Sequence, residues 1–309
     1  MFIFVVFHSL IDYAINMISQ NLLRAFHLTN YIFFLALYSR RYFDEKTAIK
    51  VVRNIAVIST FFLFFQHIVF LIIHVPIPGQ LPVFLVNNEY GLSEFADANL
   101  MRFSAFFQEP SHYAMYILCA LTLELFYKKE LNLYVLIILC LGAVVSTSNT
   151  AIAGMFLLVV LYVRNKGVSL KAMLFLIVCL LVICVFAQTF VETISQRVDN
   201  GKSFSNRFDG YSQIDYLISG NPLWGIGFWS GKDLGNIYLP GWARLYVYFG
   251  IIGFVSYLFL YLGLFKSLKN RMILYLLIFA NIGGDALFSV FFLFYSCFFV
   301  LKRDNKHQL

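Results

Sequence analysis

Charge is what this 309-residue chain has least of. Asp, Glu, Lys and Arg together make up 13% of it, against roughly a quarter in a soluble domain. So few polar side chains cannot coat one or two water-exposed cores. That excludes a cytosolic globular enzyme, a nucleic-acid-binding module and a disordered chain. Histidine is scarce as well, with six in all and no HExxH or paired pattern to hold a metal. The five cysteines, Cys119, Cys140, Cys179, Cys184 and Cys297, lie inside apolar runs. They have neither metal-ligand spacing nor the spacing of a disulfide framework. P-loop, GxGxxG and GxSxG patterns are absent, so no cofactor, ATP-driven step or serine-hydrolase chemistry is expected. The N-terminus lacks the basic n-region of a signal peptide, and Met1–Leu10 is expected to be retained as part of a span.

What the chain does have is apolar length: 61% of residues are apolar, including 36 Phe and 19 Tyr. A bilayer core about 30 Å thick is crossed by about 20 helical residues. Apolar runs occur at 51–75, 111–127, 131–165, 170–191, 244–265 and 270–301. At about 1.5 Å per residue, 131–165 would measure roughly 50 Å as one helix, so it is divided at the polar cluster Ser146–Thr150. The 270–301 run is divided likewise at Gly283-Gly284-Asp285. Weaker spans cover 2–18 and 21–39. The expected architecture is an all-α integral membrane protein, a single multi-pass domain over 1–309 with about ten transmembrane helices.

The basic residues orient that bundle. With the N-terminus inside, sixteen of the 23 Lys and Arg fall in cytoplasmic loops: at 40–53, 128–129, 164–171, 266–271 and 302–306. An undivided 131–165 span would put Lys128 and Lys129 across the membrane from Arg164 and Lys166. Both termini are therefore expected in the cytoplasm, and the long loops 76–110 and 192–243 outside. The outer side keeps Arg24, Arg102, Arg197, Lys202, Arg207, Lys232 and Arg244. The +7 formal charge is mostly topology.

Three constellations could carry chemistry. The first runs from Arg102 to His112 and contains Glu109-Pro110-Ser111. Two helical turns would put Arg102 and Glu109 on one face, and Pro110 suits the first position of the next span. Glu109 could orient an arginine or accept a hydroxyl proton; an interfacial ion pair with a capped helix is the competing reading. The second is the large outer loop, with Arg197, Arg207 and the run Asn221-Pro-Leu-Trp-Gly225-Ile-Gly227-Phe-Trp229, followed by Arg244. Arginine forks suit phosphate, aromatic faces suit sugar rings, and the glycines suggest a turn whose backbone approaches something closely. An ordinary solvated loop with nearly cancelling charges is the alternative. The third is the Ser146–Thr150 tip, where Ser148 and Asn149 could donate to a sugar. Helix-capping hydroxyls are its simpler explanation. Of the histidines, only His112 adjoins a candidate site; His67 and His74 read as interfacial packing.

The ordered set, Arg-x6-Glu-Pro-Ser, a Ser-Thr-Ser tip, an arginine-bearing outer loop, Asn-Pro-Leu-x-Gly-x-Gly and Tyr248-Phe-Gly-Ile-Ile-Gly253, resembles the O-antigen polymerase and ligase superfamily. The match is best with Wzy-type polymerases of O-antigen or capsular polysaccharide and spans about Arg102 to Leu264. The resemblance implies a metal-independent glycosyltransferase of the bacterial plasma membrane. Its substrate would be oligosaccharide repeats on undecaprenyl diphosphate, taken from the membrane lipid at the outer face. A flippase and a chain-length regulator are candidate partners. Carried over residue by residue, Arg102 and Arg207 would hold the diphosphates, Glu109 would orient an arginine or serve as base, and Gly225 and Gly227 would shape the loop beneath the glycans. Neutralising the charge developing on a lipid-diphosphate leaving group needs such arginines.

The chain departs from the family at three places. Many relatives have glycine in the Arg-to-Glu segment, where Ala105 stands here. Many have Ser-Arg at the tip, where Asn149 follows Ser148. Ligases carry a histidine in or after the large loop, and residues 113–306 contain none. This favours polymerase over ligase, with a non-catalytic flippase for lipid-linked sugars as the reading from another class.

Overall fold

The computed structural model describes residues 44–77, 79, 103–107, 109–128, 131–166, 211–227, 239–268, 271–284 and 290–299, with 10, 11, 14 and 26 near the N-terminus. All regular elements among the described residues are helices, and no strand occurs. Apart from those four N-terminal residues, the expected spans at 2–18 and 21–39 lie outside the described residues, as does the whole of 170–191. The chain divides into two compact units, Phe43–Gln196 and Arg197–Leu309 with Met1–Tyr42.

The first unit contains α1 (Glu45–Ile73), α2 (Pro110–Phe126), α3 (Leu133–Val145) and α4 (Asn149–Lys166). Helix α1 begins well before the apolar run expected at 51–75 because Asp44 caps it, accepting from the Lys46 amide at 3.0 Å. The Thr47 hydroxyl also donates to this carboxylate and, more than any other contact, holds it below the usual carboxylate range. At the far end His74 adopts a left-handed conformation (φ 57°) and its amide closes the last turn on the Phe70 carbonyl, as αL caps do.

One stripe of α1 (Ile49, Val52, Ala56, Thr60, Leu63 and Gln66) is buried, where the helix packs on α2 and α3. The opposite stripe, with Ile55, Ile58, Phe61, Phe65, Ile68 and Ile72, is just as apolar yet exposed. A soluble helix would be polar there; a face this apolar and this continuous is suited to lipid. At about 1.5 Å per residue, the 29 residues of α1 measure roughly 43 Å. Among the described residues, α1 and α6 (Gly241–Ser267) are long and apolar enough to cross a membrane.

Pro110 occupies the first turn of α2, with Glu109 as its N-cap. In its last turn the buried carboxylate of Glu124 is neutralised by Lys128 Nζ at 2.8 Å, the pairing a buried charge requires. The long apolar stretch 131–165 is divided into α3 and α4, and the break falls at 146–148. Thr147 there has φ 49°, a strained value for a β-branched residue. Midway down, the Tyr113 hydroxyl hydrogen-bonds Thr60 Oγ1 at 2.8 Å, entirely buried. Gly142 of α3 makes room for the pair, since a Cβ there would lie 2.4 Å from the Tyr113 oxygen.

The second unit contains α5 (Ile214–Ile218), α6, α7 (Met272–Gly283) and α8 (Val290–Ser296). Helix α7 ends at Gly283, at the glycine pair where the sequence divides. Asn281, buried in α7, donates to the Leu277 carbonyl at 2.8 Å. Its side chain lies against Gly241, where a Cβ would meet Oδ1 at 2.4 Å. One turn apart in α6, Tyr257 donates to Tyr261 at 2.8 Å beneath the ring of Trp242.

Helix α6 is broken at Gly250, with φ 62° and ψ −166°, a region open essentially to glycine alone. A break leaves backbone groups without helical partners, and the Asn221–Gly227 turn supplies them. Ile226 and Gly227 donate to the carbonyls of Val247 and Tyr248, while Ile251 and Ile252 donate to those of Pro222 and Leu223. The four bonds are 2.9–3.2 Å long. Contact is so close that a Cβ on Gly225 would meet Tyr248 O at 2.5 Å, and one on Gly250 would meet Leu223 O at 2.4 Å.

Gly250→Ala is therefore expected to cost about 3 kcal/mol or more, from backbone strain plus the clash. Gly263→Ala, in the same helix, meets nothing within 4 Å and is expected to be neutral or to stabilise by up to about 1 kcal/mol. Thermal unfolding in detergent micelles compares the two; equal melting temperatures would refute the role given to the break.

Candidate functional site

In the first unit, the residues between Arg102 and Glu109 do not form the two helical turns that would align those side chains. Residues 103–107 form a turn, closed by the Ser104 hydroxyl donating to the Phe107 carbonyl at 2.5 Å. Ala105 is left-handed within it (φ 53°). One end of the Gln66 side-chain amide, on α1, holds this turn, and the other holds the chain just past α1. Oε1 accepts from the Ala105 amide at 3.1 Å, and Nε2 donates to the Ile77 carbonyl at 3.0 Å. Phe106 stacks on Phe62 with centroids 4.3 Å apart. Ala105 is thus fully enclosed in a conformation that glycine adopts at lower cost.

His67, the next residue of α1, joins the turn to the helix-hairpin tip. Its ring packs edge to face with Phe103 at 4.8 Å, and the Val145 carbonyl at the end of α3 faces the imidazole as a hydrogen-bond acceptor. Nε2 is enclosed and has no hydrogen-bond partner among the described residues. The turn before Glu109 and the end of α3 that leads into the tip at 146–149 therefore both face one imidazole near the C-terminal end of α1. Gln66 and His67 were not among the expected site residues. Their signal was a pair of adjacent polar side chains inside an apolar run, but apolar runs also carry such pairs for packing alone.

Glu109 is exposed and its Oε2 accepts from the Ser111 hydroxyl at 2.9 Å. His112 is half-buried in the first turn of α2. At the tip the hydroxyls divide. Ser146 Oγ donates to the Ala143 carbonyl at 2.7 Å and receives the Ser148 amide at 3.4 Å; the Ser148 carbonyl accepts from Ile152, opening α4. These fit the capping explanation. Asn149 Oδ1 does not, being enclosed without a partner.

In the second unit, the glycine turn approaches its own chain, as the contacts of Gly225 and Gly227 with α6 require. Asn221 is exposed, its carbonyl accepting from the Gly225 amide at 2.8 Å. Arg244 is half-buried in the first turn of α6. Arg102, Arg197, Arg207 and Trp229 lie outside the described residues. Among the described residues no group of three His, Cys, Asp or Glu side chains could hold a metal.

Fold and site together define a helical protein with at least two helices suited to crossing a membrane, and with polar groups gathered at one end of the first. No family model matches the chain, and neither a curated protein nor a solved structure matches it significantly.

Ala105→Gly is expected to stabilise the first unit by about 1 kcal/mol, since an L-residue at positive φ costs that much relative to glycine. Ala105→Val should destabilise it. Thermal melting of the purified variants in micelles checks both, and an Ala105→Gly protein that melts lower would contradict the left-handed turn.

Proposed function

We propose that this chain is a multi-pass membrane glycosyltransferase. It polymerises undecaprenyl-diphosphate-linked oligosaccharide repeats into O-antigen or capsular polysaccharide at the outer face of a bacterial plasma membrane. The observation that carries this reading is that the 103–107 turn and the end of α3, just before the 146–149 tip, both face His67 toward the end of α1 away from Lys46, Lys50 and Arg53. Basic residues at one helix end mark the cytoplasmic side, so the shared polar end faces outward, where lipid-linked repeats are joined. The left-handed Ala105 supports it too, because the residue sits where the resembling family often has glycine. A fold of about ten spans, with both termini cytoplasmic, belongs to the same reading.

The reaction joins two lipid-linked chains. A hydroxyl oxygen of the incoming unit attacks the anomeric carbon of the growing chain. The bond from that carbon to the lipid diphosphate breaks, and its electron pair leaves with the diphosphate. Arg102 and Arg207 neutralise that leaving group, a role that depends on charge in a low-dielectric setting. Trp229 and Asn221 contact sugars, and Arg197 and Arg244 add positive charge along the lipid-diphosphate path. A base removes the hydroxyl proton.

Arg102→Ala and Arg207→Ala are expected to leave protein abundance unchanged while abolishing long glycans, so that only single repeats remain on an electrophoretic ladder. Normal chain lengths in both variants would refute the polymerase. Long lipid-linked polymer accumulating in a strain without this protein would point instead to a ligase.

A further inference from the structure

We propose that His67 Nε2 is the group that accepts the proton of the incoming sugar hydroxyl; this rests on the polymerase reading. The imidazole is fixed on two sides, by Phe103 packed at 4.8 Å and by the Val145 carbonyl. A carbonyl accepts, so the ring nitrogen facing it carries hydrogen, and the tautomer that results leaves Nε2 with a lone pair. That lone pair is enclosed and unmatched among the described residues. Leaving a buried acceptor unpaired is costly, and such atoms in a native structure call for an explanation.

The chemistry of the vacant partner is constrained. An acceptor nitrogen repels a phosphate or carboxylate, which bring only lone pairs, and it takes a hydroxyl. A sugar supplies one. Asn149 Oδ1, enclosed and unmatched in the same way, opens α4 just past the break from Val145 and offers a second polar group beside the same tip. Glu109 is the weaker base: it is exposed and already accepts from Ser111.

Position and strain agree. At about 1.5 Å per residue, His67 lies roughly 21 Å along α1 from Arg53, in the outer half of a core about 30 Å thick. The two chain segments that meet it each contain a non-glycine residue at positive φ, Ala105 and Thr147, and strain of that kind gathers at functional sites. Phe103 belongs to the turn that Gln66 holds, so this turn covers one side of the half-exposed ring. In the step itself the hydroxyl oxygen bonds to the anomeric carbon as its proton passes to Nε2. The diphosphate departs with the electron pair of the broken bond, and the imidazolium afterwards releases its proton to water.

The test uses the full-length protein in liposomes with purified lipid-linked repeats. His67→Gln, which keeps an amide for hydrogen bonding, is expected to lower kcat by about 10²–10⁴-fold with little change in KM. Added imidazole is expected to restore turnover to His67→Ala and not to Arg207→Ala. Unchanged melting temperature and gel-filtration volume establish folding, and the His67→Gln variant carries the test alone if His67→Ala does not fold. Wild-type kcat in His67→Gln would overturn the proposal while leaving the polymerase standing. So would a loss confined to KM, or a folded His67→Ala that imidazole leaves inactive. A wild-type protein that elongates nothing would remove the polymerase reading and this proposal with it.

Discussion

Every amide and carbonyl in an apolar chain must find a partner inside the protein, because the surroundings offer none. That requirement shapes both units. A continuous helix satisfies it without help, which is why α1 can show an uncharged stripe to its surroundings along most of its length. Helix α6 cannot, because Gly250 interrupts it. Its broken ends are completed by four backbone bonds from the Asn221–Gly227 turn, and that docking is possible because Gly225 and Gly250 carry no side chain between the two backbones. The turn is held by the groups that the break exposes, and the break persists because the turn satisfies it.

Side chains obey the same rule. Glu124 has Lys128, Thr60 has Tyr113, Tyr257 has Tyr261, and Gln66 spends both ends of its amide on the backbone. Against that background a few buried atoms among the described residues have no hydrogen-bond partner, with Ser59 Oγ, His67 Nε2 and Asn149 Oδ1 in the first unit. A buried acceptor left open is expensive in a low-dielectric setting, and the proposed role of His67 Nε2 as a base would give that atom a partner in the sugar hydroxyl.

Much of the helical pattern was legible in the chain. The break inside 131–165 followed from length alone: a helix that long exceeds the membrane, and a serine-rich cluster lay at its centre. Pro110 at the start of α2 followed from a ring that suits a first turn. The kink in α6 was not legible, because Gly250 sits in an apolar run with glycines on both sides that remain helical or carry no constraint. Nor was the irregular turn before Glu109: seven-residue spacing reads as two helical turns unless one knows that Gln66, far away in sequence, holds Ala105 in a left-handed shape.

Composition and periodicity by themselves determined that the chain is strongly apolar and that its described elements are helices. Those properties are sums over local choices, and a window of residues contains them. Only the tertiary structure decided what the glycine turn approaches and which polar groups stand unmatched. It also decided that the turn at 103–107 and the end of α3 share one imidazole. Each of those depends on atoms distant in sequence coming within about 3–5 Å, the range over which hydrogen bonds and ring contacts act.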